Sequence, residues 1–331
     1  MTEKIKWGIV STGNISGKFA EALQQLDEAE LLAVASRDVK TAREFAGRYG
    51  ISKAYGSYAE LAADPEVDVV YIGTPHTLHL ENSVMFMRAG KAVLCEKALT
   101  INALEAEQMI RVAREEDVFL MEAMVTRHLP IIKRILGWIS EGAIGDVRMV
   151  KASFCKRSDY TPEQRHLNPE LGGGSLLDLG VYGISFASMV INKPPESVVG
   201  YAHIGPLGSD EQGVALMKYD RGELAELSFA LRTNGISDAR VFGTKGHIQV
   251  DEFFSIPTKA TLFREGRAPE PIEDPSTGGG LTFEAEEVMR CLKAGLKESP
   301  RMPLDESLQI MRIMDEIRAP WEMTYPNDDS A

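Results

Sequence analysis

Cysteine is scarce. The 331 residues hold three, Cys95, Cys155 and Cys291, far apart and with no CxxC pair. That spacing excludes a disulfide framework and fits a reducing compartment. Long apolar runs are missing too: residues 181–191 form an apolar stretch far short of the ~20 residues that span a bilayer. The opening MTEKIKWGIV lacks the apolar length and cleavage site of a signal peptide. Positive charge is in deficit, with 36 Lys and Arg against 49 Asp and Glu, a net charge of −13. Such a surface disfavours nucleic acid and anionic lipid, although a local basic pocket could still take one phosphate. The expectation is a cytoplasmic protein without nucleic-acid or membrane partners.

What is present is enough for a sizeable core. Hydrophobic residues make up 44% of the chain, and its length predicts about two domains at ~100–200 residues each. Apolar runs of strand length stand at 5–10, 31–35, 67–72, 92–95 and 118–121, with a very short extra strand at 54–55. Between them lie helical patterns at 15–26, 40–49, 78–89 and 103–115. Continuous apolar strands alternating with amphipathic helices predict a doubly wound parallel sheet over 1–123, with ligands beyond the carboxyl ends of its strands. The texture changes from 124 to 331. Helices are predicted at 128–139 and 176–191, and alternating β-type runs at 197–203, 213–219, 225–231, 239–242, 247–250 and 260–263. Residues 266–280 read as an exposed Pro/Gly-rich loop, and helices at 283–294 and 304–317 close the chain. This half reads as an α+β domain with a large, mostly antiparallel open sheet. The fold class is therefore α/β.

The first strand runs into GIVSTGNISG, from Gly8 to Gly17. A dinucleotide pyrophosphate would sit here, on N–H groups at a helix N-terminus. The match to GxGxxG keeps only Gly13, with Ser11 and Ser16 at the outer positions, so a plain strand-to-helix turn is the alternative. Ser11, Gly13, Asn14 and Ile15 are the candidate contacts. The second strand ends in Ser36-Arg37-Asp38, where an NAD reader usually carries an acid. A guanidinium pairs with a 2′-phosphate, so Ser36 and Arg37 predict NADP over NAD; the alternative is a solvated arginine.

Gly73 and Thr74 follow the fourth strand and are expected to line the cofactor crevice, with His79 close behind. His76 and His79 are spaced i, i+3, but no nearby acid or cysteine completes a metal set, and no metal is expected. The stretch GKAVLCEKALTIN places Glu96 and Lys97 at the carboxyl edge of the fifth strand. They are either a surface ion pair of little worth or a reactive pair facing the crevice. Beyond the sixth strand, Arg127 is either a cofactor contact or a structural brace. In the second half, GGGSLLDLGVY opens a helix with Asp178 and Tyr182 at i, i+4 on one face. Arg165 and His166, just upstream, are candidate substrate contacts or loop ion partners.

WGIVSTGNIS (7–16), ASRD (35–38), AYGSYAELAADPEVDVVYIGTPHTLH (54–79), GKAVLCEKALTIN (90–102), GGGSLLDLGVY (172–182) and ESPRMPLDESL (298–308) stand in order along nearly the whole chain. Together they resemble the glucose-fructose oxidoreductase / inositol dehydrogenase (Gfo/Idh/MocA) family, and within it the dimeric dihydrodiol and NADP-dependent D-xylose dehydrogenases. The family's Glu-Lys-Pro is here Glu96-Lys97-Ala98, which predicts a looser turn. Val125 stands near the place where the dihydrodiol enzymes carry an aromatic, which favours a sugar or small polyol over an aromatic diol.

The resemblance implies that the helix bearing Asp178 and Tyr182 faces the nicotinamide. The expected activity is hydride transfer between NADP and a hydroxyl-bearing carbon of a sugar, polyol or trans-dihydrodiol. Tyrosine, at a pKa of ~10, is a poor base near neutrality. Lowering it by ~2 units takes roughly 3 kcal/mol, which a close ammonium supplies in a partly dry site. Tyr182 and Lys97 are therefore the acid–base candidates, and Asp178 orients the substrate hydroxyl or Lys97. Related enzymes pair through the outer sheet face, which predicts a homodimer. The competing reading is a non-catalytic NADP(H) sensor on the same fold. Loss of Lys97 or Tyr182 would favour it, and both are kept.

Overall fold

A computed structural model describes residues 4–161, 164–251, 253–274 and 278–328. These residues form two compact units. One holds the chain up to Met124 together with Leu281–Leu308, and the other holds Val125–Gly280 and the residues from Gln309 on. Residues 281–308 thus pack with the parallel sheet, whereas a single boundary at 123/124 would have assigned them to the second domain.

The first unit is built on strands β1 (Ile5–Val10), β2 (Ala29–Ala35), β3 (Lys53–Tyr55), β4 (Val69–Ile72), β5 (Ala92–Glu96) and β6 (Leu120–Ala123). They form one sheet in the order β3-β2-β1-β4-β5-β6, every pairing parallel. The central strands are buried on both sides, which is why they read as unbroken apolar runs. Helices α1 (Asn14–Leu23), α2 (Val39–Tyr49), α3 (Tyr58–Ala62), α4 (His79–Arg88) and α5 (Ala103–Glu115) connect them. The chain runs outward from β1 to β3, then crosses to β4 and runs the other way. The reversal between β1 and β4 opens a crevice at their carboxyl ends.

The second unit contains α6 (Pro130–Ser140), β7 (Val147–Cys155), α7 (Val181–Ile191), β8 (Ser197–Ile204), β9 (Asp210–Lys218), β10 (Leu224–Ala230), β11 (Ala239–Gly243), β12 (Gly246–Val250), β13 (Lys259–Arg264) and β14 (Glu270–Glu273). Its eight strands lie in the order β14-β13-β12-β11-β7-β10-β9-β8, antiparallel except for the β7–β10 pair. Two strands of this unit depart from the sequence reading, as does α3 in the first. β7, at the centre of the sheet, alternates too weakly to be seen, because only Val150 and Ala152 are fully inward. β14 lies inside the expected loop 266–280, of which 275–277 fall outside the described residues. Two more helices, α8 (Leu281–Lys293) and α9 (Leu304–Arg318), follow. The stretch Pro169–Ile191 is long and apolar enough to cross a membrane, but 78% of its apolar window is buried inside the protein, as in the core helix of a water-soluble protein.

Candidate active site

In the first unit the turn after β1 is a tight knot. Ser11 adopts φ +92, a conformation that favours glycine, and its hydroxyl donates to the Gly73 carbonyl at 2.7 Å. The Ser11 and Ser16 hydroxyls lie 2.9 Å apart. A Cβ on Gly73 would fall 2.6 Å from Ser16 Oγ, so the glycine lets the segment after β4 lie close against the first turns of α1. Serines at the outer fingerprint positions therefore stitch the turn together. Gly13 is the N-cap of α1 and forms no side-chain cap. A Cβ there would meet nothing nearer than Ser11 Oγ at 3.9 Å. An uncapped helix start under an open glycine fits a pyrophosphate. Asn14 and Ile15 form its first turn.

At the end of β2, Ser36 donates its N–H to Tyr55 O, and Arg37 is exposed. Asp38 is engaged elsewhere. It caps α2, accepting from the Lys40 N–H at 3.0 Å and the Thr41 hydroxyl at 3.0 Å, and these bonds hold its carboxyl below the usual range. Beyond β4, Thr74 and His79 are buried. His79 Nε2 lies 2.9 Å from Thr74 O, and its Nδ1 lies 3.0 Å from Ala98 O and 3.3 Å from Leu99 O. The ring therefore ties the segment after β4 to the one after β5. His76 adds a contact to Lys97 O at 3.2 Å.

The Glu96-Lys97 edge rests on polar groups that the sequence reading did not single out. The Tyr71 hydroxyl donates to Glu96 Oε1, and the Tyr71 ring stacks on Phe19 at 3.9 Å. Glu122 Oε1 accepts the Leu99 N–H at 3.1 Å. Glu284, on α8, is fully buried, and neither carboxyl oxygen has a hydrogen-bond partner among the described residues. Burial and the charge of Glu96 push its carboxyl well above the ordinary range. One sequence signal existed for it: Glu284 shares an apolar helical stripe with Leu281, Ala285 and Val288.

In the second unit the glycine cluster shapes a helix start. Gly172 and Gly174 have φ of +73 and +145. The helix opens with a π turn over Leu176–Gly180 before α7 begins, so the expected uniform α-helix from 176 is wider at its first turn. Asp178 lies in that turn, buried, with Oδ1 3.1 Å from Arg165 Nη2. His166 stacks on Tyr160, ring centroids 3.8 Å apart. Tyr182 is half-buried, its ring 5.6 Å from Phe154, which in turn meets Phe254 at 6.0 Å. Arg127 donates through Nε and Nη2 to Ser185 Oγ and O, both at 3.1 Å. Val125 is buried, close against Gly280.

Residues 5–124 match the family described as "Oxidoreductase family, NAD-binding Rossmann fold", and residues 132–249 match the GFO/IDH/MocA C-terminal domain. The chain belongs to the GFO/IDH/MocA oxidoreductase family. This member is 41% identical over 330 residues to the trans-1,2-dihydrobenzene-1,2-diol dehydrogenase of Xenopus laevis, covering 97% of this chain and 99% of the relative. The enzyme of that name from Homo sapiens is 39% identical over 334 residues, covering 98% and 99%. Among solved structures, KijD10, a 3-ketoreductase from Actinomadura kijaniata in complex with NADP and TDP-benzene, superposes with a TM-score of 0.87 at 27% identity, over 96% of this chain and 98% of that one. Aldose-aldose oxidoreductase from Caulobacter crescentus shares the fold, with a TM-score of 0.88 at 24% identity over 96% and 97% of the two chains. As a GFO/IDH/MocA member, the protein is an NAD(P)-dependent oxidoreductase.

Proposed function

We propose that the protein is a cytoplasmic, NADP-dependent dehydrogenase or reductase acting at a hydroxyl-bearing carbon of a trans-dihydrodiol, sugar or polyol. The observation that carries the reading is Asp178, held by Arg165 at a buried helix start one turn before Tyr182. The names of the relatives support a trans-dihydrodiol, and the Phe154 ring beside Tyr182 supplies an apolar neighbour suited to a carbocycle.

The first unit holds the cofactor. Ser11, Gly13, Asn14 and Ile15 present the uncapped start of α1 to the pyrophosphate, and Gly73, Thr74, His79 and Glu96 shape the crevice wall. Ser36 and Arg37 take the 2′-phosphate. Asp38, the acid that would select a free ribose, is occupied as the cap of α2, which supports NADP over NAD. When bound, the nicotinamide supplies the hydride acceptor or donor. Tyr182 exchanges the hydroxyl proton, with Lys97 as the ammonium of the acid–base pair. Asp178 orients the substrate hydroxyl, and Arg165 and His166 contact its neighbours. A positioned acid–base group contributes about 10²–10⁴ in rate.

The test is initial rates of NADPH formation with trans-1,2-dihydrobenzene-1,2-diol, D-xylose and a polyol panel, using NADP⁺ or NAD⁺. Turnover that prefers NADP⁺ and falls by about 10²–10⁴ in Tyr182→Phe and Lys97→Met supports the reading. Variants that turn over like the wild type would sink it.

A further inference from the structure

Two adjacent buried residues at the head of β9 hold both arms of the proposed substrate site. Ser209 and Asp210 are 1% and 0% exposed. The Ser209 hydroxyl donates to the Leu167 carbonyl at 2.9 Å, fixing the turn that bears Arg165 and His166. Asp210 Oδ2 accepts from the Ser175 hydroxyl and from the Leu176 N–H, both at 2.7 Å, fixing the helix start that bears Asp178 and Tyr182. The arms are also joined directly, by the Gly174 N–H on His166 O at 3.0 Å and by the Arg165–Asp178 ion pair. Residue 174 must be glycine: its φ is +145, and a Cβ would fall 2.2 Å from Asp210 Oδ1.

From this geometry we infer that Ser209 and Asp210 are positioning residues for the reaction, and that ionised Asp210 holds the Asp178–Tyr182 helix start more firmly than neutral Asp210 does. The inference rests on the proposed roles of Asp178 and Tyr182. An ionised acceptor makes hydrogen bonds roughly twice as strong as a neutral one, and a negative charge at a helix N-terminus meets favourable N–H dipoles. Burial pushes the Asp210 carboxyl up to about 7, against the pull of its bonds to Ser175 and Leu176. The change of charge therefore falls inside the working range of an enzyme. The other ionisable groups around it are Tyr325, which donates to Gly173 O and is backed by Arg318 and Asp328, and Asp178, Arg165 and His166 on the two arms.

The experiment is kcat against pH from 5.5 to 9, with NADP⁺ and trans-1,2-dihydrobenzene-1,2-diol, for wild type, Asp210→Asn, Ser175→Ala and Tyr182→Phe. Wild type is expected to show an ascending limb near pH 7. Asp210→Asn should lose that limb and run about 3–10-fold below wild type at pH 8, the effect of weakening two charge-assisted bonds. Ser175→Ala removes a donor to the ionised form and should move the limb to higher pH. A limb unchanged in both variants overturns the inference; if Asp210→Asn does not fold, the Ser175→Ala profile decides alone. Activity is not the only readout. In wild type without substrate, the ¹³C carboxyl resonance of Asp210 should titrate near 7, and a midpoint in the usual aspartate range overturns the inference. If Tyr182→Phe keeps wild-type kcat, the site reading itself fails and takes the clamp with it. If Tyr182→Phe is inactive while the limb persists in Asp210→Asn and Ser175→Ala, only the clamp fails.

Discussion

Arg165 Nη2 lies 3.1 Å from Asp178 Oδ1, joining a half-exposed guanidinium to a mostly buried carboxylate. The pair is unequal. Asp178 is shut away at a helix start, whereas Arg165 reaches it from a turn that solvent also touches. Removing the arginine takes one charge-assisted bond from a buried carboxylate, while the exposed side of the pair adds little to folding. Arg165→Met should therefore lower kcat/KM by about 10–100-fold, as expected for a lost charge-assisted bond. It should move the melting temperature by only a few degrees. Steady-state kinetics beside a thermal melt separate the two. A loss of stability in proportion to the loss of rate would make the pair structural.

Arg37 and Asp38 are neighbours with opposite assignments. Arg37 is exposed beyond β2, and Asp38 is bound into the cap of α2. Arg37→Ala should raise KM for NADP⁺ by about 10–100-fold and leave KM for NAD⁺ unchanged, since only one cofactor carries the 2′-phosphate. Asp38→Ala should lower stability through the lost cap of α2 and leave the cofactor ratio alone. If Asp38→Ala, and not Arg37→Ala, alters the ratio, the assignments are reversed.

Glu284 gives a pH signature with a definite sign. Its folded pKa is raised, by burial and then by Glu96, so the native state holds a proton that the unfolded chain has already lost above about pH 4.3. The stabilising contribution is full below the unfolded pKa and is lost as pH rises through the folded one. Glu284→Gln keeps the shape and removes the ionisation. The variant should match wild type near pH 5 and melt higher at pH 8–9, with a flatter alkaline flank. Parallel melts of the two proteins across that range check it. Coincident curves would mean that Glu284 is ionised in the native protein at no cost.

The parallel sheet was legible because its central strands are buried on both faces, so β1, β4 and β5 announce themselves as apolar runs. The antiparallel sheet was legible only in part. β7 pairs with β10 and β11 at its centre, yet most of its residues are half-exposed, and its VRMVKASFC carries no clean alternation. Candidate residues at strand ends and glycine turns, such as Gly13, Lys97 and Asp178, could be picked out from local pattern. Asp210 and Tyr71 could not be picked that way, and Glu96's neighbour Glu284 showed only as a carboxylate inside the apolar stripe of α8. A buried polar side chain is defined by what packs around it, and those partners lie 35, 25 and 188 residues away in sequence. The return of 281–308 to the first unit has the same origin: the apolar stripe of α8 shows that the helix is buried but not against which sheet.

The outer face of the second sheet bears on assembly. β8 is an edge strand, and on its solvent side Val199 pairs with Leu216 and Tyr201 with Val214 across the β8–β9 ladder. These four side chains are 45%, 54%, 74% and 50% exposed, a run of apolar surface that is costly to leave in water. Charged residues border it, with Lys151 bound to Glu226 at 2.7 Å and Lys218 to Glu196 at 3.2 Å. An apolar centre with a charged rim is the pattern of an interface, and a two-fold pairing of like surfaces closes the assembly at two copies. The homodimer expected from the sequence would be built on it. Leu216→Lys combined with Val214→Lys places two ammonium groups in each copy's patch, where pairing would bury them against one another. Light scattering at micromolar concentration should show a dimer for wild type and a monomer for the double variant. Both substitutions sit on the solvent side of β9, so the variant's far-ultraviolet circular dichroism should be unchanged. A wild-type monomer, or a double variant that remains dimeric, would move the interface off this face.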